Sequence, residues 1–432
     1  MDQETLFESL VRWNFWGKRN LPILKQREIM KEIISYVEDP FPVVLTGVRR
    51  SGKSSLFYLL MKHLLEKGVD RSQILLINFE EPLFSTYLSI PFLEKLITLY
   101  KERVNPDKKI FFFLDEIQNL PDWQKWVRRE ADLKEHKIFL TGSSSKLLSS
   151  EISTLLTGRY YSFSVFPLSF REFLKWQGIG YSSEIERVEN KPIIRKAFSQ
   201  YLHWGGFPEI VLIDSEERQK KILYQYFDDI LFRDVIFRYQ IRDAKLLQGI
   251  AQYYLTNVAS LHSFNRIRNI FSTSVDNVRR YSTFLEESFL IFFLPRFSFK
   301  LSEQQKSNRK VYASDTGLRN VIGFRFSSDT GKLAENTAAL HLLKISDELY
   351  YFANSGECDF ITRKQDQFEA IQVCLDDLSE EKVRKREIRG LITAMRTLGQ
   401  NRGTIFTNDM EKEEKVEDVQ IIFRPLWKYL ID

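Results

Sequence analysis

Two cysteines, Cys358 and Cys374, are all that 432 residues contain, too few for a disulfide framework or a cysteine-built zinc site. Histidine is scarce as well, with five scattered copies and no H-E-x-x-H spacing, which argues against structural or catalytic zinc. No apolar run approaches the ~20 residues needed to span a bilayer. The opening stretch MDQETLFESL is acidic and polar, unlike a signal peptide. The expectation is a cytoplasmic protein with no membrane contact. Internal repeats and low-complexity segments are also missing.

What the chain does have is ordinary globular material in quantity. Apolar residues make up 43% and charged ones 28%, as in chains that bury large cores, and the 35 phenylalanines fill them. The length suggests two to four domains. A net charge of +5 permits a nucleic-acid partner without requiring one.

The most informative stretch is Val43-Val44-Leu45-Thr46-Gly47-Val48-Arg49-Arg50-Ser51-Gly52-Lys53-Ser54-Ser55-Leu56. A buried apolar strand runs into a loop matching G-x-x-x-x-G-K-[ST], and a helix follows, which is the context of a phosphate-binding loop. Gly47 and Gly52 let backbone N–H groups close on a phosphate, and the helix adds its positive N-terminal end. Positions 47–55 are therefore expected to hold ATP, with Lys53 on the β and γ phosphates and the Ser54 hydroxyl on Mg²⁺.

Apolar residues at helical spacing predict helices across 1–40, with Arg27 facing either the adenine or solvent. Ile74–Phe79 reads as a further strand, closed by Glu80-Glu81-Pro82, which either make a turn or turn a carboxylate to the nucleotide. Ile110-Phe111-Phe112-Phe113-Leu114 ends in Asp115-Glu116, the Walker B pattern. Asp115 is expected to hold Mg²⁺ through water, and Glu116 to polarise the attacking water. Ile138–Ser145 is another strand with a hydroxyl-rich end; Ser143 is placed either to sense the γ-phosphate or to cap a helix. In Leu155-Leu156-Thr157-Gly158-Arg159, the arginine is suited to neutralise γ-phosphate charge, in cis or from a neighbouring copy, or to form a surface ion pair.

The blocks GVRRSGKSSL, FFFLDEIQNLPDWQKWVR, LTGSSSKLLSSEISTLLTGRYYSFSVFPLSFREF and YLHWGGFPEIV, in this order, resemble the prokaryotic AAA+-like ATP-binding proteins that join an ATPase module to an uncharacterised C-terminal region. The resemblance spans most of the chain. It implies a P-loop ATPase of the additional-strand type, with Lys53, Ser54, Asp115 and Glu116 at the nucleotide and catalytic positions and Ser143 at the sensor position.

Beyond Pro167 the pattern is helical to about Leu231, broken at Gly205-Gly206-Phe207-Pro208, and suits a lid. Between 240 and 300 three short amphipathic helices and an apolar strand suggest a winged helix-turn-helix. Asn277, Arg279 and Arg280 would face double-stranded DNA, unless the module docks a protein. The last segment is similar to restriction-endonuclease-like folds. It has a helix carrying Glu335, a strand carrying Asp359, and Gln372-Val373-Cys374 where those enzymes carry E-x-K. That departure leaves the lysine role without an occupant unless Lys364 or Lys382 supplies it.

The expected architecture is thus α/β, with an ATPase core over 1–166, a helical lid over 167–238, a winged helix-turn-helix over 239–300 and a catalytically degenerate endonuclease-like domain over 301–432. The expected activity is Mg²⁺-dependent ATP hydrolysis driving a switch or motor on DNA or a protein. The competing readings are a non-hydrolysing ATP-gated interaction protein and an ATP-dependent nuclease. Sequence leaves self-association open.

Overall fold

The computed structural model describes residues 2–106, 108–145, 159–324, 329–354 and 356–432. The stretch Leu155–Gly158 of the expected arginine segment lies outside them. The chain divides into two compact units, one of Met1–Phe166 with Glu287–Phe289, the other of Pro167–Glu286 and Leu290–Asp432.

The first unit contains α1 (Gln3–Trp13), α2 (Met30–Ile34), β1 (Val43–Thr46), α3 (Lys53–Glu66), β2 (Ile74–Asn78), α4 (Ile90–Arg103), β3 (Phe111–Asp115), α5 (Trp123–Leu133), β4 (Lys137–Gly142) and β5 (Tyr161–Ser164). Its sheet runs β2-β3-β4-β1-β5, parallel throughout. The strand between the P-loop strand β1 and the acid-ended strand β3 is β4, the additional strand expected from the sequence. Parallel strands are covered on both faces, which is why they read as unbroken apolar runs. Alternate residues serve the two layers: Phe112 and Leu114 pack with Trp126 and Val127, while Phe111 and Phe113 pack with Leu56 and Leu60.

The N-terminal expectation needs correction, because residues between α1 and α2 are not helical. Asn14 and Trp16 tie the start of this stretch to the edge strand β2. Asn14 Oδ1 accepts from Leu76 N at 2.7 Å, its Nδ2 donates to Leu76 O at 2.9 Å, and Trp16 Nε1 donates to Ile74 O at 2.7 Å. These side chains satisfy a strand edge that would otherwise be open, and their apolar neighbours imitate helical spacing.

The second unit begins with helices, among them α6 (Phe170–Trp176), α7 (Lys191–Trp204) and α8 (Glu216–Asp229), the last continuing into a π-helical segment, Ile230–Phe237. Then come α9 (Ala244–Thr256), β6 (Ser260–His262), α10 (Phe264–Phe271), α11 (Val275–Glu287), β7 (Ile291–Leu294) and β8 (Arg309–Ala313). Strand β8, read from sequence as opening the last segment, lies between β6 and β7 in one antiparallel sheet.

The remainder is α12 (Thr316–Ile322), α13 (Thr330–Ile345), β9 (Glu348–Ala353), β10 (Glu357–Lys364), β11 (Gln367–Val373), α14 (Glu381–Thr397), β12 (Arg402–Thr407), β13 (Lys412–Val416) and β14 (Val419–Pro425). These strands form a mixed sheet, β13-β14-β12-β11-β10-β9. Helix α13 covers one face through Ala338 and Leu342 against Phe360, Ile371 and Phe406. Helix α14 covers the other through Leu391 and Met395 against Ile361, Ala370 and Ile405. Among the described residues no helix is long and apolar enough to cross a membrane.

Candidate functional site

The loop between β1 and α3 takes backbone conformations that need its glycines. Gly47 has φ 153° and Gly52 φ 100°. A Cβ on Gly47 would lie 2.1 Å from the Val165 carbonyl oxygen, so that position excludes any side chain. Arg50, exposed, also adopts positive φ at 71°. Helix α3 starts at Lys53 with no side-chain cap, leaving its first N–H groups to face whatever enters the loop. Val48 and Ser51 are buried inside the loop, and Ser55 lies half-buried in the first helical turn.

Four sequence-predicted residues meet here. Lys53 Nζ donates to the carbonyls of Gly47 and Val48, at 3.0 and 3.2 Å, and lies 3.7 Å from Glu116 Oε1. Ser54 Oγ donates to Asp115 Oδ2 at 2.9 Å and is 3.2 Å from Oδ1. Burial, with the Glu116 charge beside it, pushes the Asp115 carboxyl up to about 6. Glu116 stands past the end of β3 in the left-handed region, φ 54°.

Two residues with no assigned role in the sequence reading complete the network. Thr141, near the end of β4, donates to Asp115 Oδ1 and accepts from Glu116 N at 2.9 Å. Gln118 Nε2 donates to Glu116 Oε2 at 2.5 Å and is 3.4 Å from Ser143 Oγ. The available signals were a threonine ending a buried strand and a polar residue two places after the base candidate. Ser143 is fully buried, so it reaches the acid end of β3 through Gln118.

Of its two expected settings, Arg27 does not take the solvated one. It is buried and donates from Nη1 to Ser51 O and from Nη2 to Phe166 O, each at 2.9 Å, so it props the P-loop backbone. Arg49 pairs with Glu80 through contacts of 2.6 and 3.2 Å. Arg159 pairs with Asp132 of α5 at 3.1 Å and is 59% exposed.

A family model described as an AAA domain matches residues 39–174, and one described as a domain of unknown function matches 195–329. An uncharacterised protein of Methanocaldococcus jannaschii is 32% identical over 99% of this chain and 96% of its own length. An uncharacterised protein of Haemophilus influenzae is 30% identical over 82% and 87%. The chain belongs to this family of AAA+-like P-loop ATPases. Among solved structures, Cdc6p of Pyrobaculum aerophilum aligns over 74% of this chain and 97% of its own at 14% identity, with a TM-score of 0.27 too low to carry an argument.

In the second unit of this AAA+-like protein, α11 presents Arg279 and Arg280 on its exposed side. Arg279 lies 3.9 Å from Asp276, and Arg280 stacks over the Tyr281 ring. Asn277 Nδ2 donates to Thr273 Oγ1 at 3.1 Å, and its Oδ1 is 3.3 Å from Arg280. Neighbouring α10 exposes Arg266 and Arg268.

The cation meeting Asp359 is Lys310 of β8, and not Lys364 or Lys382. Its Nζ lies 2.9 Å from Asp359, 3.1 Å from Glu335 and 3.1 Å from Glu357, and the side chain is 2% exposed. Burial would lower this lysine, but the Asp359 and Glu335 charges overcome that and hold it protonated. Gln372 is also engaged: Oε1 accepts from Asp359 N at 3.1 Å and Nε2 donates to Glu387 at 2.5 Å. Burial, with Glu387 nearby, pushes the Cys374 thiol up to about 12, so it carries no charge near neutrality.

Proposed function

We propose that this AAA+-like protein binds ATP with Mg²⁺, hydrolyses it, and uses the cycle as a switch or motor acting on DNA through its second unit. The observation that carries the reading is the adjacency of Ser54, Asp115, Glu116 and Lys53 at the uncapped start of α3. The Ser54 hydroxyl and the Asp115 carboxylate within hydrogen-bond distance of each other form the hard oxygen pair that suits Mg²⁺. Bound there, the ion would supply charge to the β and γ phosphate oxygens. The N–H groups of 47–55 cradle the phosphates, and Lys53 turns from Glu116 to the γ-phosphate. Glu116 accepts the proton of the attacking water, and Ser143, through Gln118, responds to the phosphate.

The base position favours this reading over a binding-only protein. A module that only gates conformation has no use for a carboxylate held between Lys53 and Gln118 beside the loop. For the second unit, the helix-strand-helix-helix-strand-strand order of α9 to β8 supports a winged helix, and its exposed arginines favour the phosphates of double-stranded DNA over a neutral protein face. The nuclease reading is set aside, because a lysine already neutralises the carboxylates that a metal would need.

The test is ATP turnover by the full chain with and without duplex DNA, alongside its mass in solution with and without ATP. Glu116→Gln is expected to keep ATP affinity and lose about 10²- to 10⁴-fold in turnover, the range general-base catalysis supplies. A Glu116→Gln chain as fast as wild type would remove Glu116 as the base.

A further inference from the structure

We infer that Gln118 is the positioning residue of the hydrolytic step, an inference that rests on the ATPase reading above. Gln118 lies in the short turn Ile117–Asn119 after β3. Its Nε2 holds Glu116 Oε2 at 2.5 Å, while the other carboxylate oxygen, Oε1, faces Lys53 at 3.7 Å. A carboxylate accepts and cannot donate, so the amide must turn its nitrogen to Glu116 and its carbonyl away. That carbonyl, Oε1, is buried and has no hydrogen-bond partner among the described residues. Buried polar atoms are nearly always paired, so an amide oxygen left open beside the base is an acceptor kept for a ligand.

The ligand of that acceptor is the attacking water, admitted when Lys53 leaves Glu116 for the phosphates and opens the space beside the amide. A water has two hydrogens: Glu116 accepts one and Gln118 Oε1 the other, which turns the water's lone pair toward the γ-phosphorus. As the new P–O bond forms, the proton passes to Glu116 and the bond from the γ-phosphorus to the β-γ bridging oxygen breaks, releasing ADP. Gln118 acts before this as well. Phosphate oxygens compete with Glu116 for Lys53, and a carboxylate losing that partner would swing unless its other oxygen were held. The Glu116 backbone is fixed separately by Thr141, whose Oγ1 accepts from its N–H at 2.9 Å. Base and water are thus oriented through one amide, whose contact with Ser143 at 3.4 Å links them to the end of β4.

The experiment compares steady-state turnover and binding of a fluorescent ATP analogue for wild type, Gln118→Ala, Gln118→Met, Glu116→Gln and the Glu116→Gln/Gln118→Ala pair, all as full chains. Methionine keeps the length and packing without the amide, and so reports even if alanine impairs folding. The expected result is a kcat lower by roughly 10- to 100-fold in both Gln118 variants, with KM and analogue affinity within about twofold of wild type. Adding Gln118→Ala to Glu116→Gln should cause no further loss, since both act on the same water. Wild-type kcat in the methionine variant, a defect confined to KM or affinity, or full additivity with Glu116→Gln each overturns the inference and leaves the ATPase reading standing. A wild-type chain with no turnover overturns both.

Discussion

Lys53 Nζ and Glu116 Oε1 face each other across 3.7 Å, both side chains buried. The ammonium that would meet the phosphates and the carboxylate that would take the proton are therefore each other's counter-charge, and what draws one away alters the other. Lys53→Ala removes the mobile cation of the loop and leaves Glu116 buried beside Asp115. The expected outcome is a fall in ATP affinity of at least about 100-fold, as charge-assisted contacts to phosphate are lost. Isothermal calorimetry reads this directly, and unchanged affinity would reject the phosphate-loop assignment.

Gly47→Ala tests the loop by shape alone. The added methyl group meets a backbone oxygen at 2.1 Å, which has no rotamer by which to escape, at a φ that L residues rarely adopt. Both a lower Tm and the loss of ATP binding are expected. A variant that melts and binds as wild type would mean that the β1–α3 loop differs from the one described.

Arg279 and Arg280 carry the DNA proposal. If each meets one phosphate, replacing both with alanine weakens binding to duplexes of any sequence and flattens the log–log salt dependence by about 2. Fluorescence anisotropy across a salt series measures the slope. Wild-type protein that ignores duplex DNA at low salt would turn this surface into a protein-docking face.

Lys310→Met leaves Asp359, Glu335 and Glu357 without their cation. Breaking a buried charge cluster from one side costs roughly 3–5 kcal/mol, so chemical denaturation should show a large loss of stability. The wild-type chain should not cut supercoiled or linear DNA with Mg²⁺ or Mn²⁺, with or without ATP. Cleavage that vanishes in Asp359→Ala and persists in Lys53→Ala would reverse this and make the second unit a nuclease.

The ATPase core was readable because its strands are buried on both faces. Val43–Leu45, Ile74–Ile77 and Phe111–Leu114 had to be unbroken apolar runs, and the polar residues ending them mark the top of the sheet. The stripe Leu247, Ile250, Ala251 and Tyr254 was equally legible, all four being buried. Contacts made by one side chain at long range were not. Arg27 reaches Phe166 across 139 residues and Lys310 reaches Asp359 across 49, and no local pattern distinguishes such residues from solvated ones. The stretch after Trp13 misled for a different reason: Phe15 is buried while its neighbours Asn14 and Trp16 bond to the edge strand β2, and periodicity reports burial before it reports helix. Gln118 and Thr141 escaped because their roles depend on how β3 and β4 register.

The bonds of Arg27 to Ser51 and to Phe166 bear on how the protein can be dissected. The carbonyl of Val165 closes over Gly47, and that of Phe166 shares a guanidinium with the phosphate loop. A fragment ending at Ser164, where the last strand of the sheet stops, would keep every strand and still lose both braces. Anyone isolating the nucleotide chemistry on a shorter polypeptide should carry the chain through Phe166 and retain Arg27 at the other end.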